Sequence, residues 1–343
     1  SRGLGDVYKR QVQNADLVLA VGNRLSIRQV GYSWKTWARE AYVIMVDVDP
    51  AELKKTTLHV ELPVCADAKD FFVQMNEQLA DEDVPVFAGK EWIRKCQEWK
   101  KNYPVTQPKH WEEDGKYANV YAFIKYLSQN LPQGNMTVVS NGSACVVGSH
   151  NYVIQKEARF LINSAVASMG YGLPAAIGAC IATGRKTTIC LEGDGSIMMN
   201  LQELQTVLTN QLPIKIFVIN NQGYHSIRQT QNNLFKEHCK IGIGPESGDL
   251  SFPDFSKLSE AFGYTYLEAH SNAQMKKMVD QALKIDGAVF CEIFVSAEQN
   301  FEPKSATKRL EDGTLVSPPL EDLAPFLPRE EIIKNMFIPV IEE

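Results

Sequence analysis

Two continuous apolar runs, set one helix apart, constrain this chain more than any other feature. TTICL (Thr187–Leu191) and IKIFVI (Ile214–Ile219) are dominated by β-branched, aliphatic and aromatic residues. This is the pattern of strands buried on both faces. Between them Leu201, Leu204, Val207 and Leu208 fall on one helical face, and Pro213 stops the helix. The spacing predicts a βαβ unit, whose crossover is right-handed almost without exception. Two parallel strands then finish on one sheet edge, the first at Gly193-Asp194-Gly195 and the second at Asn220-Asn221. The carboxyl edge of such a sheet is where α/β proteins bind ligands.

The same alternation recurs along the chain. ADLVLAVGNRL (Ala15–Leu25) reads as a strand entering a Gly-containing loop. AYVIMVDVDPAEL (Ala41–Leu53) reads as a strand and a helix with Pro50 at its start. ELPVCADAKDFFVQMNEQLA (Glu61–Ala80) adds a short strand and an amphipathic helix. Strands alternating with helices place the chain in the α/β class with parallel sheets. The boundaries read as one α/β region over 12–80, a charged linker helix with three Trp over 81–116, a second α/β region over 117–300 and a Pro-rich tail, folded over the surface, over 301–343. Asp6–Gln11 (DVYKRQ) resembles the translated end of a sequencing adapter, so residues 1–11 are set aside as a non-native scar. On that reading the chain is the C-terminal part of a longer protein.

With 343 residues, 44% of them hydrophobic, there is apolar material for two domains. A net charge of -6 gives neither the basic footprint of a nucleic-acid binder nor a polybasic patch for anionic lipid. Seven cysteines without a C-x-x-C pair read as small buried hydrophobes of a reducing, cytoplasmic compartment. Leu161–Gly184 is uncharged, yet Asn163, Ser164, Ser168, Pro174 and four glycines make it too polar to span a membrane. It predicts a helix packed in a core.

The sheet edge carries the chemistry. Asp194 supplies a hard anionic oxygen and the Asn221 amide a neutral one. The glycines admit close backbone approach, and a helix from Ser196 aims its N-terminus, with about half a positive charge, at the same place. Mg²⁺ prefers oxygen ligands and commonly bridges one or two protein oxygens to substrate phosphates. The set therefore reads as a Mg²⁺–diphosphate site, with Asn221 on the metal and Asn220 bracing the strand end through the backbone. GDG alone is an ordinary turn with Asp as helix cap; its pairing with Asn-Asn carries the reading.

G-D-G, then 24 residues (196 to 219), then N-N resembles the thiamine-diphosphate signature of the acetolactate synthase, pyruvate oxidase and pyruvate decarboxylase family. GDGSIMMNLQELQTV, ASMGYGLPAAIGA and FPDFSKLSEAFGY are similar to the acetolactate synthase branch in particular, and the likeness runs from residue 12 to about 300. It implies three-layer α/β domains, with 12–80 the second half of the central domain and 117–300 the diphosphate-binding domain. It also implies Asp194, Asn221 and the Gly223 carbonyl as Mg²⁺ ligands, with Gly193, Gly195, Ser196 and Ser143 against the diphosphate. Ala167 would offer a backbone group to the aminopyrimidine, and Met169 matches the residue that wedges beneath the cofactor and holds it in a V. The family's activating glutamate belongs to an N-terminal pyrimidine domain that this sequence lacks, and it normally comes from a partner subunit of a homodimer or homotetramer. The reaction implied is decarboxylation of pyruvate or a similar 2-ketoacid, with transfer of the acyl unit to a small acceptor.

Other readings stay open. A non-catalytic subunit would bind the cofactor without turnover. GYGLPA (Gly170–Ala175) with Glu192 matches the dinucleotide fingerprint of a nicotinamide-dependent dehydrogenase, but NSAVASM separates Gly170 from the preceding apolar FLI. GNRLSIRQVG resembles the flavin segment of acetolactate synthases through Gly22, Arg24 and Arg28, and VDVDP their acidic strand end through Asp47 and Asp49. Both also fit plain strand-end turns and solvated arginines. After the Asn pair the chain departs from the family's Gly-Met-Val and Trp, placing His225, Ser226 and Thr230 there. His225 reads either as a proton shuttle or as a loop histidine, and the polar segment hints at a sugar derivative or aldehyde as acceptor.

Overall fold

Leu17–Val21 (β1), Tyr42–Asp47 (β2) and Leu62–Cys65 (β3) pair in parallel in that order. The computed structural model describes residues 5–81, 88–113, 115–163, 166–235, 240–304, 307–310, 312–324 and 326–341, without the side chains of residues 5, 6, 28, 81 and 308. They fall into two units, the first running to Val105 and resuming at Glu302, the second spanning Thr106–Phe301.

In the first unit Ala20, Val43 and Met45 point into a core shared with Trp37 and Leu58. The Pro-rich tail belongs to that core: Leu320 and Leu323 are buried in it, and a Cβ on Gly31 would lie 2.8 Å from Leu320 Cδ2. The charged helix Lys90–Asn102 docks through Trp99, whose indole N–H donates to Asn335 Oδ1 at 2.7 Å. An amphipathic helix of this kind gains its stability from the apolar stripe it buries rather than from propensity. The adapter-like residues lie in helix Gly5–Gln13, where Val7 is buried and the Arg10 guanidinium sits 4.1 Å above the Tyr103 ring.

The second unit holds six parallel strands, Met136–Val139 (β4), Arg159–Ile162 (β5), Thr188–Gly193 (β6), Ile214–Asn220 (β7), Thr265–Ala269 (β8) and Val289–Phe294 (β9). Their order is β5-β4-β6-β7-β9-β8. Strand β7 shows why the apolar runs are unbroken. Ile216 and Val218 pack with Leu173 and Ala176 of helix Gly172–Ala182, while Phe217 meets Phe123 of helix Val120–Asn130 at 5.7 Å on the other side. Helices on both faces give three layers, and each fully buried aliphatic or aromatic side chain contributes about 1.5–3 kcal/mol. Lys215, the one charge in the strand, runs its ammonium out to the Ile285 and Gly287 carbonyls.

Two expectations change. The connection after β6 is helix Asp194–Ile197, a 3-10 turn Met198–Asn200 and helix Glu203–Thr209, rather than one helix from Ser196. The break falls where Asn200 turns its amide to the Gly170 carbonyl at 2.7 Å, although Leu204 and Val207 still bury as their spacing predicts. Within Leu161–Gly184, β5 ends at Ile162 and the helix starts at Gly172. Among the described residues no helix is long and apolar enough to cross a membrane. Cys145, Cys180, Cys190 and Cys291 are buried, Cys65 is exposed and Cys96 half-buried; Cys239 lies outside the described residues.

Candidate functional site

Strand order reverses between β4 and β6, because β5 lies to one side of β4 and the later strands to the other. Such a reversal leaves a crevice at the carboxyl edge. A cavity of about 290 Å³ opens there, and the residues read as cofactor or metal ligands line it together with His225: Ser143 after β4, Ala167 and Met169 after β5, Gly193 to Ser196 after β6, and Asn221, Gly223 and His225 after β7.

Asp194 is 2% exposed. Its Oδ1 accepts from Gly195 N–H and its Oδ2 from Gly223 N–H, each at 2.8 Å. Burial nevertheless pushes its carboxyl up to about 7, against the pull of those bonds and of Arg228. Asn221 is also buried. Its Nδ2 donates to Ser143 Oγ at 2.8 Å, and its Oδ1 is a buried oxygen with no hydrogen-bond partner. An unsatisfied buried acceptor costs about 1–3 kcal/mol, so this oxygen is available to a cation or a hydrogen-bond donor. Asn220 braces the strand end from both sides, accepting from Gln222 N–H at 2.9 Å and donating to Glu292 Oε1.

The glycines have separate reasons. A Cβ on Gly195 would stand 2.3 Å from the Tyr224 ring, and one on Gly223, at φ 145°, would strike the Ile243 carbonyl oxygen. The Gly223 carbonyl accepts from His225 N–H at 3.0 Å. Ser196 Oγ lies 2.6 Å from Ser140 Oγ and accepts from Gly170 N–H at 3.0 Å, tying the loop of Ala167 and Met169 to the GDG turn. Ala167 takes φ 56°, and Met169 is 41% exposed. The four-residue helix Asp194–Ile197 is too short for a phosphate site to rest on its dipole, so the donor set itself carries the fit.

That set comprises one carboxylate, one amide oxygen without a partner and one backbone carbonyl, and it suits a hard cation completed by phosphate oxygens. No group of three or more His, Cys, Asp or Glu is placed to hold a metal among the described residues. Sequence reasoning passed over Asn141, Gly142, Tyr224 and Ile227, which also line the cavity, and Arg228 behind it. The Asn-Gly pair before a small-residue helix was a legible signal for the first two.

The sequence profile described as thiamine pyrophosphate enzyme, C-terminal TPP binding domain, matches residues 140–293, and that of the thiamine pyrophosphate enzyme central domain matches residues 5–75. The chain belongs to the thiamine pyrophosphate enzyme family. It is 30% identical over 305 residues to the acetolactate synthase large subunit of Cyanidium caldarium, covering 86% of this chain and 49% of that one. It is 28% identical over 314 residues to the isozyme 3 large subunit of Escherichia coli K12 (88% and 52%) and 31% identical over 295 residues to the isozyme 2 large subunit (85% and 50%). The chain thus spans about half the length of these relatives.

Where this member of the thiamine pyrophosphate enzyme family departs from the pattern, the structure assigns local work. His225 lines the cavity, but its Nε2 is 2.7 Å from the Gln299 carbonyl, which makes that nitrogen the donor, and its ring stands edge-on to Phe301. Thr230 is exposed, donates to the Ser226 carbonyl at 3.0 Å and is absent from the cavity wall, where Ser226 and Ile227 stand. At the first unit's sheet edge Arg24 pairs with Glu52 at 2.6 Å, Asp47 accepts from Asp49 N–H, and Asp49 caps helix Pro50–Leu53; the Arg28 side chain lies outside the described residues. Arg24, Asp47 and Asp49 thus each have a local partner, and we assign no flavin to them. The dinucleotide alternative fails in geometry: β5 ends eight residues before Gly170, and Glu192 is fully buried, accepting from Leu173 N–H at 2.8 Å.

Proposed function

We propose that this chain is the diphosphate-binding part of a Mg²⁺- and thiamine-diphosphate-dependent enzyme. The reaction is decarboxylation of pyruvate or a similar 2-ketoacid, with transfer of the acyl unit to a small acceptor. The observation that carries this reading is the lining of one cavity at the sheet's switch point by Asp194, Gly223 and Asn221, whose Oδ1 has no hydrogen-bond partner. Asp194 and Asn221 would hold the metal, Ser143 fixing the Asn221 amide so that its oxygen stays available. Gly195 and Ser196 would lie against the diphosphate, and Met169 would support the cofactor from below. Bound thiamine diphosphate supplies the electron sink that 2-ketoacid decarboxylation requires. The chain's residues bind it, orient it and keep water from it.

With the His225 Nε2 committed to a carbonyl, the chain is expected to bind cofactor and to turn over 2-ketoacid only with a glutamate-bearing pyrimidine domain. The intact enzyme would be a homodimer or homotetramer. Isothermal titration of thiamine diphosphate with Mg²⁺ tests the assignment. Asp194→Ala removes the anionic anchor and should weaken binding beyond detection; unchanged affinity in that variant sinks it. Product analysis of the full-length enzyme with pyruvate and sugar or aldehyde acceptors then identifies the acceptor.

A further inference from the structure

The loop that carries Asn221 and Gly223 is held in an unusual shape. Gln222 takes φ 57° and Gly223 φ 145°, two successive residues on the positive side. A non-glycine residue there stores strain that its surroundings must hold. What holds it is Arg228, three residues into helix His225–Leu234 and 2% exposed. Its Nη1 donates to the Asn221 carbonyl at 3.1 Å, its Nη2 to the Gln222 carbonyl at 2.8 Å and its Nε to Glu246 Oε1 at 2.5 Å.

Glu246 is itself fixed. It lies in the 3-10 turn Pro245–Ser247, which Ser247 ties to the Gly244 carbonyl at 2.6 Å. The same segment meets the loop directly, since Tyr224 N–H donates to the Ile243 carbonyl at 2.8 Å and a Cβ on Gly244 would lie 2.2 Å from the Gln222 oxygen. One planar guanidinium thus satisfies two loop carbonyls and one carboxylate at once, a geometry that a lysine ammonium does not reproduce. Glu246 also neutralises a buried cation beside a site meant for another cation.

Resting on the cation-site reading above, we propose that Arg228, neutralised by Glu246, is the positioning residue of that site and holds the Asn221 and Gly223 oxygens in binding geometry. Groups that orient metal ligands from behind typically change affinity by about 10- to 100-fold when altered. The test uses the whole chain with thiamine diphosphate and Mn²⁺ as probe, following Mn²⁺ affinity and its electron paramagnetic resonance spectrum beside thermal stability. Arg228→Lys keeps the charge and loses the fork; it should weaken Mn²⁺ about 10-fold or more and alter the spectrum. Glu246→Gln keeps an acceptor for Nε but leaves the guanidinium uncompensated, and should give a smaller loss in a protein that still folds.

Wild-type Mn²⁺ affinity and spectrum in Arg228→Lys overturn the proposal. If Arg228→Lys does not fold, unchanged affinity in Glu246→Gln overturns it instead. Asp194→Ala separates the two readings. If it loses Mn²⁺ while the Arg228 and Glu246 variants do not, the cation site stands and the positioning role falls; if it retains Mn²⁺, the site itself falls.

Discussion

The two units use strands of nearly the same composition and cover them differently. In β7 the residues Ile214, Ile216, Phe217 and Val218 are all at 0% exposure, whereas in β1 Leu17 is 54% and Leu19 39% exposed. LVLAV and IKIFVI both read as continuous apolar runs, yet only the second is buried along its length; along β1 the buried Ala20 lies between less buried neighbours. Parallel sheets are normally hidden on both sides. An apolar run therefore specifies that a strand forms, and the packing partners specify what becomes of its second face.

The largest effect that can break this comparison is core truncation. Phe217→Ala should cost about 3–5 kcal/mol, because the cavity left between β7 and helix Val120–Asn130 has little freedom to collapse. Leu19→Ala should cost under about 1 kcal/mol. Guanidinium unfolding of each variant checks this. Trp34, Trp37, Trp92 and Trp99 lie in the first unit and Trp111 in the second, so Trp emission follows mainly the first unit and loss of cofactor binding follows the second. Equal costs for the two substitutions would mean that the outer face of β1 is buried in solution.

Much of the second unit was legible because its signals are local. The β-branched runs fix β6 and β7, parallel pairing puts Gly193 opposite Ile219 in register, and the GDG and Asn-Asn turns must then share an edge. What was not legible depends on contacts between distant residues. Gln13 donates to Glu321 across 308 positions, and Trp99 to Asn335 across 236, so the tail's place in the first unit's core has no sequence signal. Arg228 sits in the segment least like the family, and its carboxylate partner comes 18 residues later. The helix break at Met198–Asn200 likewise answers to Gly170, 30 positions before Asn200.

Acid should act on the two units with opposite sign. Burial lifts the carboxyls of Glu192 and Asp194 from ordinary values of 4.5 and 3.8 to about 7, and raises that of Glu292. A folded state that keeps a proton the unfolded chain has released is most stable below the unfolded pKa, and it loses that stability as pH rises to the folded one. In the first unit, Lys55 holds Glu52 below its ordinary range and the Val43 N–H does the same for Glu61. Their contribution is present above the ordinary carboxylate range and is lost as pH falls through the folded values. Exposed Asp249 and Asp254 of the second unit are lowered too, which matters only at lower pH. Between pH 7 and pH 5, without metal, the second unit should gain up to about 1.4 kcal/mol per pH unit for each of Glu192 and Asp194, while the first changes little. Thermal unfolding in chelator across that range checks the sign; a second unit that weakens toward pH 5 would show that water reaches these carboxyls.

The smallest effect is the sharpest test of the exposed strand. Strand β3 ends the first unit's sheet on one side and carries Pro63, a residue that blocks further pairing on an edge. The opposite edge, β1, has no such device and shows Leu17 and Leu19 outward. Leu17→Lys should change stability by less than about 0.5 kcal/mol, since a lysine can lie along the surface with its ammonium in water. The same charge on an open edge should reduce self-association in sedimentation velocity. A loss of several kcal/mol would mean that Leu17 is covered in the folded protein and that the contrast between the two sheets is smaller than their exposures indicate.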